Sequence, residues 1–283
     1  MNQTIQFDPF AMANATFGEC KLTEEFLSAE VRPAVESALG DHRSDAEATW
    51  LGLLLRDVGW LRSLGKLNHP GDYQAVSVAA RTLFEIAVDV VIMHFDVGNP
   101  PAKLRAWEDS AKLKTAEKIK RFYEEENRVV PPEYVPLLDY IDREGPRVRQ
   151  LRTHFWNGKH PSNRWTGRDL HSDAKAASEH ARKGQFLEFY VTTYPTLCWN
   201  THGSGLAGVR FLSENIFPAV SGAALGQCAD LSMIVAEVVL VHLGRWDLEW
   251  AKRFELHNAN RIQVKEHVYE AAKRRTEPTS QGG

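Results

Sequence analysis

"SVAARTLFEIAVDVVIMHF", residues 77–95, decides the fold class. Nearly every position is apolar; the polar ones are Ser77, Arg81, Thr82, Glu85, Asp89 and His94. Ser77, Arg81, Glu85 and Asp89 recur at four-residue steps, the spacing that collects side chains along one narrow face of an α-helix. A helix that is apolar around most of its circumference belongs in a core, and charges on it then need partners. Glu85 and Asp89 carry like charge one turn apart, which is unfavourable without a cation between them. The stripe is a solvated face, a structural Arg81–Glu85 pair, or one wall of a functional polar pocket. With both partners buried, Glu85→Ala costs about 3 to 5 kcal/mol by stranding the arginine.

Outward from this helix, segments near 22–39, 46–67, 73–96, 102–127, 133–155, 168–182, 185–202, 222–243 and 247–274 carry helical apolar spacing or strong helix formers. Gly, Pro and Asn separate them. "NPP" at 99–101 and "VPP" at 130–132 stop one helix and start the next, and Ser221 suits an N-cap. Strand signals are confined to "EFYVTTY" at 188–194 and "VRFL" at 209–212, and no internal repeat or low-complexity linker forces a boundary. The expected architecture is an all-α multi-helix bundle with irregular loops. Residues 1–20 read as an N-terminal extension, 21–272 as a single helical domain, and 273–283, "KRRTEPTSQGG", as a disordered tail.

The 283 residues are 43% hydrophobic and 25% charged, enough to bury a sizeable core. A net charge of −3 gives no global field for nucleic acid or an acidic membrane, so binding of that kind needs a local patch. Cys20, Cys198 and Cys228 lack metal or disulfide spacing and fit a reducing cytoplasm. The first twenty residues lack a secretory pattern, and Asp230, Glu237 and His242 interrupt the most apolar stretch, "GAALGQCADLSMIVAEVVLVHLG". A soluble cytoplasmic protein without a membrane span is expected.

Several motifs fail on inspection. "GSGLAG" at 203–208 matches a dinucleotide fingerprint but follows a helical stretch where that motif needs a strand. Glu85, Asp89, Glu188, Asp230 and Glu237 with His94, His202 and His242 suggest a metal bundle, yet no histidine has Glu three residues before it and HExxH is absent. No metal and no cofactor are expected. Arg62 to His69 and Arg261 to His267 match a short ribonuclease spacing that is too common to be specific.

Two further stretches carry chemistry. "FLEFYVTTYPTLCWNTHG" places Tyr190, Tyr194, Cys198 and His202 at four-residue steps, with Pro195 bending the helix. His202 before Gly203 is either a structural C-terminal cap or a functional imidazole. "HFWNGKHPSNRWTGR", 154–168, lies within an acid-free run from Gly145 to Arg168 holding Arg147, Arg149, Arg152, Lys159, Arg164 and Arg168, interleaved with Phe155, Trp156 and Trp165. Guanidinium forks suit phosphate, indole faces stack on bases, and Asn157-Gly158 turns Lys159 to a tip. The alternative is a basic helix end paired with acidic neighbours such as "YEEE" at 123–126.

Arg81 with Glu85, "WNGK" at 156–159 and "CWNTHG" at 198–203, in that order, resemble an uncharacterised, mainly bacterial helical family, a domain of unknown function. Its pattern is an Arg-x-x-x-Glu helix, a Trp-Ser/Thr-Gly-Lys loop and a Ser-x-x-x-His-Gly helix end; the similarity spans roughly residues 46 to 245. Asn157 and Cys198 stand where that pattern has hydroxyl residues. The resemblance implies a shared polar site without naming its reaction.

The expected site joins Arg81, Glu85 and His202 under the Trp156–Lys159 loop and takes a small anionic, nucleotide-like molecule or single-stranded RNA. As an enzyme, Glu85 or His202 is general acid or base, Arg81, Lys159 and Arg164 hold the anion, and Trp156 stacks on it. Hydrolysis or phosphoryl chemistry is the reaction class, including RNA cleavage in a toxin or phage-defence setting. The alternative is a non-catalytic ligand-binding or protein-interaction module, and the sequence does not choose.

Overall fold

In a computed structural model, residues 9–40, 43–67, 72–96, 98–159, 164–181, 185–201 and 216–276 are described. They form an all-α fold, and no strand occurs among them. The chain divides into two compact units, Met1–His94 with Ala177–Gly283, and Phe95–Ala176.

The larger unit is organised by α1 (Pro9–Phe26), which packs against α3 (Asp45–Lys66), α10 (Ile216–His242) and α11 (Leu248–Thr276). Ala13, Ala15, Phe17 and Cys20 of α1 are buried, so the first core helix begins inside the stretch that reads as an extension. The cause is small side chains: they supply little hydrophobic signal but let helices approach closely. After α1 comes one π-helical turn, Leu27–Val31, closed by the Arg32 N–H donating to the Leu27 carbonyl, and then α2 (Arg32–Leu39). A capping box starts α3, with Glu47 N–H on Ser44 Oγ at 3.3 Å and Ser44 N–H on Glu47 Oε2 at 2.7 Å.

Helix α4 (Tyr73–Phe95) is buried at most positions between Tyr73 and Met93, as its composition requires. Helices α8 (Gln185–Thr192) and α9 (Tyr194–Thr201) follow, separated at Thr193 next to Pro195. "EFYVTTY" is thus helical on both sides of the turn at Thr193 despite its β-branched residues, because Phe186 and Phe189 are buried beside Phe84. Helix α10 starts at Ile216, which places Ser221 inside it rather than at its cap. Its Ala224–His242 segment is long and apolar enough to cross a membrane, and 67% of it is buried within the protein.

The smaller unit is a hairpin of α5 (Pro100–Glu125) and α6 (Val135–Trp156), followed by the start of α7 (Leu170–His180). Pro100 and Pro101 occupy the first turn of α5, and a short 3-10 turn at Pro132–Tyr134 precedes α6. Leu113, Tyr140 and Val148 form its core. Asn157 ends α6 in the left-handed region at φ 53°, and the next residue, Gly158, has φ 76°.

Asp57 of α3 is completely buried, and burial raises its pKa to about 7. Ser232 of α10 offsets part of that, but neither Asp57 oxygen nor Ser232 Oγ makes a hydrogen bond of ordinary geometry among the described residues. The folded state holds this proton more tightly than the unfolded chain, whose carboxyl titrates near 3.8. Raising the pH from about 4 through 7 therefore removes stability, on the order of 4 kcal/mol when complete. His257, held neutral by burial and by Arg261 with a pKa of about 4, contributes with the opposite sign below pH 6.5. Urea denaturation of wild type and Asp57→Leu between pH 5 and 8 separates the two: the variant gains stability relative to wild type as the pH rises. A constant difference would remove Asp57 as the titrating group.

Candidate functional site

The site in the larger unit begins with an aromatic cluster that fastens α8 and α9 onto α4. Phe84 stacks on Phe189 at 4.6 Å between centroids and meets Tyr194 at 5.4 Å, and Tyr190 stacks on Tyr194 at 5.3 Å. The break beside Pro195 starts a new helix at Tyr194, whose hydroxyl reaches the polar stripe of α4 and donates to Glu85 Oε1 at 2.7 Å. Arg81 Nε lies 3.0 Å from both Glu85 Oε1 and the Tyr194 hydroxyl, and its guanidinium carbon is 5.6 Å from the Tyr194 ring centre.

Burial works against the Arg81 charge, but the Glu85 hydrogen bond and the charges of Tyr194 and Glu85 outweigh it and raise its pKa. Burial first, then Glu85, pushes the Tyr194 phenol far above its usual range. The side chains of Arg81 and Glu85 are each 32% exposed. Arg81 Nε is committed, and both Nη atoms are without a hydrogen bond among the described residues. A guanidinium fixed at one edge with its terminal nitrogens open can accept a planar anion in a bidentate grip.

His202 lies outside the described residues, as does "GSGLAG". Among the described residues Tyr194 stands beside Arg81 and Glu85, a partner that the sequence did not assign to this pair. Of the stripe's other members, Ser77 is fully buried and Asp89 is half-buried. The carboxylates considered for a metal do not converge: Glu188, Asp230 and Glu237 are exposed, and no group of three potential ligands is placed for a metal ion among the described residues.

Trp156, Lys159 and Arg164 belong to the smaller unit. Arg164 is buried, with Nε 2.6 Å from Asp173 Oδ2, the same oxygen that accepts the Thr166 hydroxyl at 2.8 Å. Arg168 Nε takes Asp173 Oδ1 at 2.8 Å, and Lys103 Nζ donates to the Thr166 carbonyl. The Trp156 indole N–H donates to the carbonyl of buried Trp165 at 3.3 Å, beside Gly167, whose φ of 82° turns the chain. Arg147 pairs with Asp109 and Glu144, Arg149 with Glu117, and Arg152 with Ser110. The acid-free stretch thus finds its acceptors on α5, α6 and α7, not on "YEEE". Lys159 is exposed at the turn.

Sequence reasoning missed Asp57, Glu19 and His257, all buried and all shifted in pKa by that burial. For Asp57 a signal exists: it sits in "LGLLLRDVGWL" with apolar residues three and four positions away on both sides. The chain matches no family model, no curated protein and no solved structure.

The two ion pairs differ in burial, and their variants should differ accordingly. Glu85→Ala leaves a partly solvated arginine and costs about 1 kcal/mol, below the 3 to 5 expected of a buried pair. Asp173→Asn removes the carboxylate charge that faces the buried Arg164 and costs about 3 kcal/mol. Urea midpoints of both variants check the order; a larger loss in Glu85→Ala would reverse it.

Proposed function

We propose that this chain is a binding protein that recognises a small anionic, nucleotide-like ligand at Arg81, without turnover. The observation that carries the reading is the state of the Arg81 guanidinium: its Nε is held by Glu85 and Tyr194, and its two terminal nitrogens are unengaged among the described residues. Tyr190, half-buried and stacked on the buried Tyr194, offers an aromatic face near it for a base or other flat ring. The chemistry of the described side chains favours binding over turnover. Arg81 and Tyr194 are both pushed further from neutral pH, and Glu85 is occupied as the acceptor that orients them. Arg81 and Tyr194 are therefore poor proton carriers near neutrality.

Calorimetric titration of AMP, adenosine and inorganic phosphate tests the reading. AMP should bind, with adenosine and phosphate each weaker. Arg81→Ala should lose about 10- to 100-fold, the worth of a charge-assisted hydrogen-bonded contact. Arg81→Lys should recover little, because a point charge does not replace the fork. A single-stranded oligonucleotide titrated across salt concentrations separates RNA from a mononucleotide, since its affinity falls with each phosphate contacted. AMP affinity equal in wild type and Arg81→Ala, or release of phosphate or adenine by wild type, would overturn the proposal.

A further inference from the structure

A groove of about 340 Å³ runs between α1 and α11, remote in composition from the Arg81 cluster. Its volume lies within the range of small-molecule sites. Leu22 and Phe26 of α1 and Leu256 of α11 give it an apolar lining, and Leu256 is 65% exposed there. Part of its wall, at Ala29 and Glu30, is the π-helical turn. Single π-turns are rare within helices and concentrate at functional sites, where the inserted residue serves something other than helix stability.

The polar groups of this groove share one preference. His257 is only 7% exposed yet lines it; its ring stacks on Phe26 at 4.5 Å, and its Nε2 is 3.4 Å from Thr23 Oγ1. Burial, then Arg261, keeps that imidazole neutral, so one ring nitrogen retains a lone pair able to accept a hydrogen bond. Two carboxylates stand at the rim. Among the described residues Glu25 pairs with Lys21 alone, an exposed contact at 4.0 Å of little energetic worth. Glu30 shares Arg253 with Glu249, at 3.2 and 2.5 Å respectively, so one guanidinium serves two acids. Acceptors and negative charge therefore surround an apolar lining in which Arg253, the one cation among the described lining residues, is already paired.

We propose that this groove binds an amphipathic primary amine, with its hydrocarbon body on Leu22, Phe26 and Leu256 and its ammonium among Glu25, Glu30 and His257. An anion would meet two carboxylates, and a neutral alcohol would forgo the charge. The amine alone satisfies both halves.

Calorimetric titration of the full chain with hexylammonium, 1-hexanol and hexanoate tests the assignment. Hexylammonium should bind at least about tenfold more tightly than hexanol, a gap near 1.4 kcal/mol, and hexanoate should not bind. The double variant Glu25→Gln/Glu30→Gln should reduce hexylammonium to the level of hexanol, and Leu256→Arg should abolish binding of both. These positions are exposed, so melting temperature should stay at the wild-type value, and AMP affinity at Arg81 reports separately on the other site. Equal uptake of all three probes, no uptake of hexylammonium, or full binding by Leu256→Arg would overturn the proposal.

Discussion

Glu19 places a carboxylate in the middle of the central helix of the larger unit, and the surrounding helices are arranged to answer it. Its side chain is 2% exposed, and Lys265 Nζ reaches it at 2.9 Å from α11. Arg261, also buried, lies 3.8 Å away and pairs with Asp230 of α10 at 2.7 Å. Burial raises the Glu19 pKa, against which Lys265 and then Arg261 act. A charge this deep is tolerable only with partners, so α1, α10 and α11 are held in one relative register. Close approach makes that possible: Gly226 of α10 faces Thr16 and Glu19, and Cys20 Sγ donates to the Leu225 carbonyl. A one-turn slip of α1 would bury Glu19 away from both cations.

This constraint also explains which parts of the fold can be read from sequence. Helix α4 announces itself through a nearly continuous apolar run. Helix α1 does not, because Ala13, Ala15, Thr16 and Cys20 contribute contact by being small instead of by being hydrophobic. The π-turn at Leu27–Val31 is equally silent, since one extra residue in a turn changes neither composition nor cap. In α8, packing against Phe84 overrides the β-branched character of Val191 and Thr192. Breaks, by contrast, are local chemistry, and the prolines at 100, 101, 132 and 195 and the Asn157-Gly158 turn fall where backbone rules place them.

The polar residues divide along the same line. The Arg81–Glu85 pair is an i,i+4 contact on one helix and so is legible from spacing alone. Tyr190 and Tyr194 were legible as a face, but their meeting with α4 is a contact across more than a hundred residues of chain. The arginine-rich stretch was open to two readings because its partners are absent from its own sequence neighbourhood. Asp109 and Glu117 come from α5, and Asp173 follows Arg164 by nine positions.

Once partners are assigned, the number of cations in a stretch ceases to indicate a ligand, and the number of unmet donors replaces it. Arg164 is buried and spends its charge on a fully buried carboxylate, so an anion arriving there would have to break a low-dielectric pair before forming its own. Arg81 is anchored through a single nitrogen, part-solvated, and charged more securely than a free arginine. An anion arriving at Arg81 pays neither for desolvating a buried pair nor for ordering the side chain, because Glu85 and Tyr194 already hold it. The richer cluster of arginines is therefore the scaffold of the smaller unit, and the solitary one on α4 is the one that keeps unmet donors among the described residues.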